Sequence, residues 1–292
     1  MNMNEGIKAF NGIPACLKLI VLDFDGTLVP NGIPDAKITK DTARYLQFLQ
    51  QQGIGLVIAT GRHPSYIMKR IPKIRFDYII GYSGNVTLKE DGIHAFLFAK
   101  KMIQAFHDFL NDTCAVMTLY SSEGEACCET LENQNLMKER LHNTKIIDLK
   151  GVYDFLIEEY LQSEKELSIS RICLKLDCWQ GYELLCEQFT RTFPMYRLVK
   201  TGMKQVEILA QDRSKASEIN KIMEMLDLPS QAVLTIGDDE NDYEMLSCFP
   251  YSYYVGKGNE RLAKAASFKA DHCETVLKKI AEGYGYICLK FY

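Results

Sequence analysis

Leu17-Lys18-Leu19-Ile20-Val21-Leu22-Asp23-Phe24-Asp25-Gly26-Thr27 is the stretch on which the fold turns. Its apolar half, rich in branched residues, reads as a buried strand. The strand stops at two carboxylates two residues apart, and side chains at i and i+2 of an extended chain point the same way. Two anions then share one small space at a strand's carboxyl end, where open α/β sheets bind ligands. Such crowding costs free energy unless a cation or a shared proton relieves it. Taken alone, these residues also fit a plain polar exit from a strand into an Asp-Gly turn.

Working outward, the 292 residues are 47% hydrophobic and 25% charged, ordinary globular values that suit one large domain or two medium ones. A formal net charge of −4 leaves no basic footprint for nucleic acid or an anionic membrane surface, so neither is an expected partner. The longest apolar runs are about ten residues, too short for a membrane span. The first dozen residues are polar, unlike a signal peptide. Ten cysteines occur with no CxxC pair, and Cys127 and Cys128 are adjacent, a poor start for a structural disulfide. They are expected to be buried thiols in a reducing cytoplasm.

After the Asp pair, Thr39 is a plausible N-cap for a helix carrying Leu46, Phe48 and Leu49 on its apolar side and ending at Gly53. Ile54 to Ala59 reads as a second buried strand that exits into Thr60-Gly61-Arg62, and Phe76 to Ile80 as a third. Strand, helix, strand, helix, strand predicts a parallel sheet with right-handed crossovers. From about residue 85 to 200 the strands alternate more, as in Ala115 to Tyr120 and Arg171 to Asp177, and helices are predicted over Lys101 to Leu110 and Trp179 to Thr190. The expected architecture is a Rossmann-like parallel-sheet core, residues 1–83 and 204–292, with an inserted α/β cap, residues 84–203. The parallel pattern is expected to resume at Gln205 to Leu209, followed by a helix from Ser214 to Leu226, the strand Ala232 to Ile236, a short strand from Tyr253 to Gly256 and a helix from Glu274 to Ala281.

Three strand ends thus carry polar clusters, and in an open parallel sheet they lie along one edge. Asp23, Asp25 and Asp238 supply hard oxygen ligands suited to Mg²⁺. Thr60 offers a hydroxyl beside backbone N–H groups, and Lys215 a positive charge at a helix N-terminus that already favours an anion. Together they read as a phosphoryl-transfer site.

The blocks Asp23-Phe24-Asp25-Gly26-Thr27, Thr60, Lys215 and Gly237-Asp238 with Asn241-Asp242, in that order, resemble the four motifs of the haloacid dehalogenase-like phosphohydrolases. The long insert and the run from Gly237 to Met245, which fits GDxxNDxxM, resemble the Cof-type branch, subclass IIB. The resemblance spans about residues 17 to 282. It implies Asp23 as nucleophile forming an aspartyl-phosphate, and Asp25 as general acid and then base. It implies Mg²⁺ held by Asp23, Asp238 and the backbone carbonyl of Asp25, with Thr60 and Lys215 gripping phosphoryl oxygens. Asp242 is expected either to reach the metal through water or to orient Lys215, with a dipole-favoured helix carboxylate as the plain alternative. Gly61, Arg62 and Asn241 are candidate substrate contacts; Arg62 could equally form a surface ion pair and Asn241 a routine turn. Asp239 and Glu240 read as turn acids and His63 as a helix-start residue.

Two departures from the family pattern stand out. Ser83-Gly84-Asn85 occupies the place where many relatives have Asn-Gly-Ala, and Ala216 follows Lys215 where Gly is usual. The expected function is Mg²⁺-dependent hydrolysis of a small phosphorylated metabolite, a sugar phosphate first among the candidates. A hexose phosphomutase of the same cap type and a catalytically silent binding protein are the alternatives. The state expected is a monomer or weak homodimer, and the Tyr-rich tail, Tyr284 to Tyr292, either finishes the core, covers a neighbour or dimerises.

Overall fold

The computed structural model describes residues 12–33, 36–71, 73–110, 113, 115–124, 126–129, 155–176, 181–201 and 205–286. The branched run forms β1 (Leu19–Leu22), whose four residues are all buried. Its alternation decides the layering: Ile20 and Leu22 face one apolar cluster while Leu19 and Val21 face another. A strand buried on both sides needs helices on both sides. The elements of this unit before the insert are α1 (Lys40–Gln51), β2 (Gly55–Ala59), α2 (Pro64–Arg70), β3 (Tyr78–Gly81), β4 (Val86–Lys89) and β5 (Gly92–Ala95). After it follow α6 (Lys215–Leu226), β12 (Val233–Gly237), α7 (Tyr243–Cys248), β13 (Tyr251–Tyr254), α8 (Glu260–Ala265), β14 (Phe268–Lys269) and α9 (Cys273–Gly283). The sheet order is β14-β13-β12-β1-β2-β3-β4-β5, parallel from β14 through β3, with β4 antiparallel to β3.

Helix α1 starts as expected, with the Thr39 hydroxyl accepting from the Thr42 N–H at 3.0 Å. It buries Tyr45, Leu46 and Leu49 against α9, which contributes Val276, Leu277 and Ile280 to the same cluster. On the opposite face, Ile219, Ile222 and Met223 of α6 and Met245 of α7 cover Leu19, Val21, Val57 and Ala59. Tyr286 packs edge-on against Tyr45 and Phe48, with ring centroids 5.3 and 5.0 Å away. The start of the Tyr-rich tail therefore finishes the core; residues 287–292 lie outside the described ones. Strands β4, β5 and β14 have no counterpart in the sequence pattern.

The second unit contains α3 (Lys100–Leu110), β6 (Val116–Ser121), β7 (Ala126–Glu129), β8 (Phe155–Leu156), α4 (Ile157–Gln162), β9 (Ile169–Lys175), α5 (Tyr182–Thr192), β10 (Tyr196–Lys200) and β11 (Gln205–Ala210). Its sheet runs β10-β11-β9-β6-β7-β8, with antiparallel pairing from β10 to β7. Met117, Leu119, Ile172, Leu174, Val206 and Ile208 pack with Ile103, Phe106 and Phe189 of the helices. Thr118, Arg171 and Glu207 occupy the alternate positions, and Arg171 Nε donates to the wholly buried Glu207 at 2.6 Å. Helix α5 begins at Tyr182; Trp179 and Asp177, which bounded expected elements, lie outside the described residues.

Here the structure corrects one expectation. Gln205 to Ala210 does not resume the parallel core: β11 pairs antiparallel with β10 and β9. The segment is apolar enough for either sheet, and only its strand partners decide. The compact units are accordingly Met1–Ile93 with Ser214–Tyr292, and His94–Arg213, against the expected insert of 84–203. The expectation of uniformly buried thiols also fails, since Cys16 and Cys248 are exposed while Cys173 and Cys273 are buried. Among the described residues no helix is long and apolar enough to cross a membrane.

Candidate active site

The parallel register brings the strand ends together. Leu22 lies opposite Ile236 on one side and Ile58 on the other, so the chain leaves β12, β1 and β2 almost level. Asp23 follows directly, its N–H bonded to the Ile236 carbonyl at 2.9 Å. Asp238 and Thr60 follow on the neighbouring strands, and Thr60 donates its N–H to the Ile80 carbonyl at 2.8 Å.

Lys215 enters this edge from the first turn of α6, which Ser214 caps through a reciprocal pairing with Ser217. With Ala216 in place of the family's Gly, that helix start is intact. The Lys215 side chain is 1% exposed and its Nζ donates to Asp23 Oδ1 at 2.7 Å, Asp242 Oδ1 at 2.6 Å and Asn241 Oδ1 at 3.3 Å. Asp242 is held through both oxygens, since its Oδ2 also accepts the N–H groups of Asp238 and Asp239 at 2.9 and 3.1 Å. Of the alternatives for Asp242, this arrangement matches the one that orients Lys215. Asn241 joins the same ammonium.

Asp238 is anchored by the Thr27 hydroxyl, which donates to its Oδ1 at 2.6 Å. The only sequence signal for this role of Thr27 is its place two residues after Asp25. Gly26 makes the approach possible. Its φ is +91°, and a Cβ there would lie 2.0 Å from Asp238 Oδ2.

Asp25 points elsewhere. Arg62 holds both its oxygens, Nε to Oδ2 at 2.8 Å and Nη2 to Oδ1 at 3.2 Å, and the guanidinium lies 4.9 Å from the Tyr66 ring centroid. The Arg62 side chain is half exposed, so this is an ion pair at the rim of the edge. Gly61 forms the bend before it, and the Thr60 hydroxyl accepts the Arg62 N–H at 3.1 Å. His63 caps α2 as expected, accepting the Ser65 N–H through Nδ1. Asp239 caps the short turn from Glu240 to Asp242, and Glu240 pairs with Arg261 and Asn259, which leaves both acids structural.

Carboxylate oxygens of Asp23, Asp238 and Asp242 come within 4.8 Å of one another. Burial, then the charge of Asp242, pushes Asp23 well above the usual carboxylate range against the pull of Lys215. Burial and Asp242 likewise raise Asp238 to about 7, opposed by the Thr27 hydrogen bond. Burial works against the Lys215 charge, but Asp23 and Asp242 outweigh it and raise its pKa. One ammonium among three carboxylates leaves two negative charges uncompensated, and an all-oxygen donor set of that charge fits a divalent hard cation. Asp25 adds no carboxylate to this group, leaving its backbone carbonyl as the donor that the resemblance implies.

The third strand end holds a costly turn. Tyr82 and Ser83, both buried, have φ of +49° and +54°. Each such non-glycine residue costs on the order of 1–3 kcal/mol and persists only where its surroundings hold it.

Comparison with known proteins assigns the chain to a family. A sequence profile described as haloacid dehalogenase-like hydrolase matches residues 20–277. A Streptococcus pyogenes serotype M6 protein that carries a phosphatase name is 22% identical over 262 residues, covering 86% of this chain and 92% of its own. SMU.1108c from Streptococcus mutans superposes with a TM-score of 0.75 at 16% identity, over 92% of this chain and 98% of the other. The subclass IIB sugar phosphatase BT4131 does so at 0.69 and 17% identity, over 90% and 98%. The chain belongs to the haloacid dehalogenase-like hydrolases, and by enzyme class it is a phosphatase.

Proposed function

We propose that the chain is a Mg²⁺-dependent phosphomonoester hydrolase acting on small metabolites, sugar phosphates among them, through an aspartyl-phosphate. The observation that carries this reading is the buried Lys215, shared by Asp23 and Asp242 beside Asp238, at the carboxyl edge of a parallel sheet. Asp23 attacks phosphorus through a carboxylate oxygen as the bond to the leaving oxygen breaks. Asp25, released from Arg62 and protonated, gives its proton to that oxygen. It then takes one from the water that attacks phosphorus and frees Asp23, with orthophosphate as product. Lys215 and Thr60 hold the phosphoryl oxygens, Asn241 and Asp242 keep Lys215 in place, and Gly61 and Arg62 line the substrate side. Asp23, Asp238 and the Asp25 carbonyl would hold Mg²⁺, which when bound would supply charge stabilisation to the transferring group.

The fold family supports a phosphorylated small molecule as substrate, and the name of BT4131 supports a sugar phosphate. The test is a panel of sugar, nucleotide and cofactor phosphates assayed with and without Mg²⁺ and EDTA. Mg²⁺-dependent release of inorganic phosphate from a sugar monophosphate is the expected result. An isomerised sugar phosphate with no release identifies a mutase, and absence of turnover across the panel identifies a binding protein.

A further inference from the structure

Thr60 and Lys215 arrive from opposite ends of the sequence, yet a single turn touches both neighbourhoods. The Ser83 N–H donates to the Thr60 carbonyl and the Tyr82 N–H to the Arg62 carbonyl, each at 3.1 Å. One residue on, Gly84 lies flat against the backbone of Ser214. A Cβ at Gly84 would stand 2.4 Å from the Ser214 carbonyl oxygen and 3.0 Å from its nitrogen, and φ there is +112°. Ser214 is the N-cap of α6, and Lys215 is the next residue. The Tyr82 ring, 2% exposed, rests 5.3 Å from that of His63, the residue after Arg62.

Two buried non-glycine residues in the left-handed region need surroundings that hold them. Here the holding groups are the Thr60–His63 loop on one side and the start of α6 on the other. We propose that the Tyr82–Gly84 turn is a spacer that sets where Lys215 stands relative to Thr60, with Gly84 as a positioning residue for phosphoryl binding. This rests on the proposed roles of Thr60 and Lys215. Gly84 touches no reacting atom; it acts through Ser214. A β-carbon there moves the Ser214 backbone, and with it the first residue of the helix.

The test compares Gly84→Ala with Gly55→Ala, at the amino end of β2. There a new Cβ also meets a close neighbour, Leu19 Cδ1 at 2.9 Å, but the residue is remote from the strand ends. Each variant is read for melting temperature, kcat, KM and inhibition by orthovanadate, a mimic of the transferring phosphoryl group. Gly84→Ala should lower kcat and weaken vanadate inhibition by about tenfold or more, as a small misplacement does. Gly55→Ala should keep both within about twofold of wild type even if it melts lower. Equal behaviour of the two variants, once matched for folded fraction, would overturn the inference. Should Gly84→Ala not fold, Ser83→Gly remains informative, because it keeps the backbone path and removes only a side chain. Activity near wild type supports the backbone spacer, and a tenfold loss assigns the effect to the Ser83 hydroxymethyl and overturns it. A wild type that hydrolyses no phosphomonoester removes the functional reading and this inference together. An active wild type with an unaffected Gly84→Ala removes this inference alone.

Discussion

Arg62 grips Asp25 by both carboxylate oxygens at 2.8 and 3.2 Å, so the proposed proton donor is held by a guanidinium that itself leans on Tyr66. The pair orients Asp25 and has to open for proton transfer. Arg62→Gln should therefore hurt most where the leaving oxygen needs a proton. We expect about a tenfold loss of kcat on an alkyl or sugar phosphate and less than about threefold on p-nitrophenyl phosphate, whose leaving group departs unaided. Equal losses on both substrates would mean that Arg62 contacts the phosphoryl group instead.

Lys215 compensates two buried carboxylates at once, Asp23 and Asp242. Removing the partner of a buried charge costs about 3–5 kcal/mol, so Lys215→Met should be strongly destabilised in urea titrations as well as inactive. Asp23→Asn should lose at least about a thousandfold in kcat, as nucleophile removal does. It should also melt at or above wild type without metal, because it removes one of three crowded anions. A less stable Asp23→Asn would show that the carboxylates are not in conflict.

Asp238 is raised to about 7 by burial and by Asp242, and Asp23 shifts the same way. The folded state thus holds these protons more tightly than the unfolded chain, whose aspartates titrate near about 3.9. Metal-free stability should fall as pH rises from about 4 to 7, since the folded state binds the more protons there. Mg²⁺ should restore it, by about 2.7 kcal/mol at a hundred times its Kd, and should help more at pH 7 than at pH 5. Melting curves at both pH values, with EDTA or with Mg²⁺, check this; a pH-independent effect of Mg²⁺ argues against the carboxylate site.

Gly26 lies where any side chain meets Asp238, with φ at +91° and a Cβ position 2.0 Å from the carboxylate. Gly26→Ala should displace Asp238 from Thr27 and weaken Mg²⁺ activation by about tenfold, a size ordinary for changes around a metal site. Mg²⁺ titration of activity measures it directly, and an unchanged half-saturating concentration would separate Gly26 from the metal.

Much was legible in the chain. The branched run ending in Asp23 and Asp25, the strands ending at Thr60 and Asp238, and Thr39 and His63 at helix starts all follow from local patterning. Local signals persist because strand period and cap chemistry act within a few residues. Gln205 to Ala210 escaped such reading, since its apolar alternation suits either sheet and only its antiparallel pairing with β10 and β9 assigns it to one. The bidentate hold of Arg62 on Asp25 spans 37 residues and the Thr27–Asp238 bond 211, so neither had a sequence pattern to announce it.

By itself the sequence determined the parallel core, the identity of the charged residues and the edge at which they gather, because residue type and strand period decide those. The tertiary structure decided which charge meets which. Lys215 answers to Asp23 and Asp242, Asp25 to Arg62, and Asp238 to Thr27. Coulomb energy and hydrogen bonding depend on distances of a few ångströms and on burial, and only the folded packing sets either.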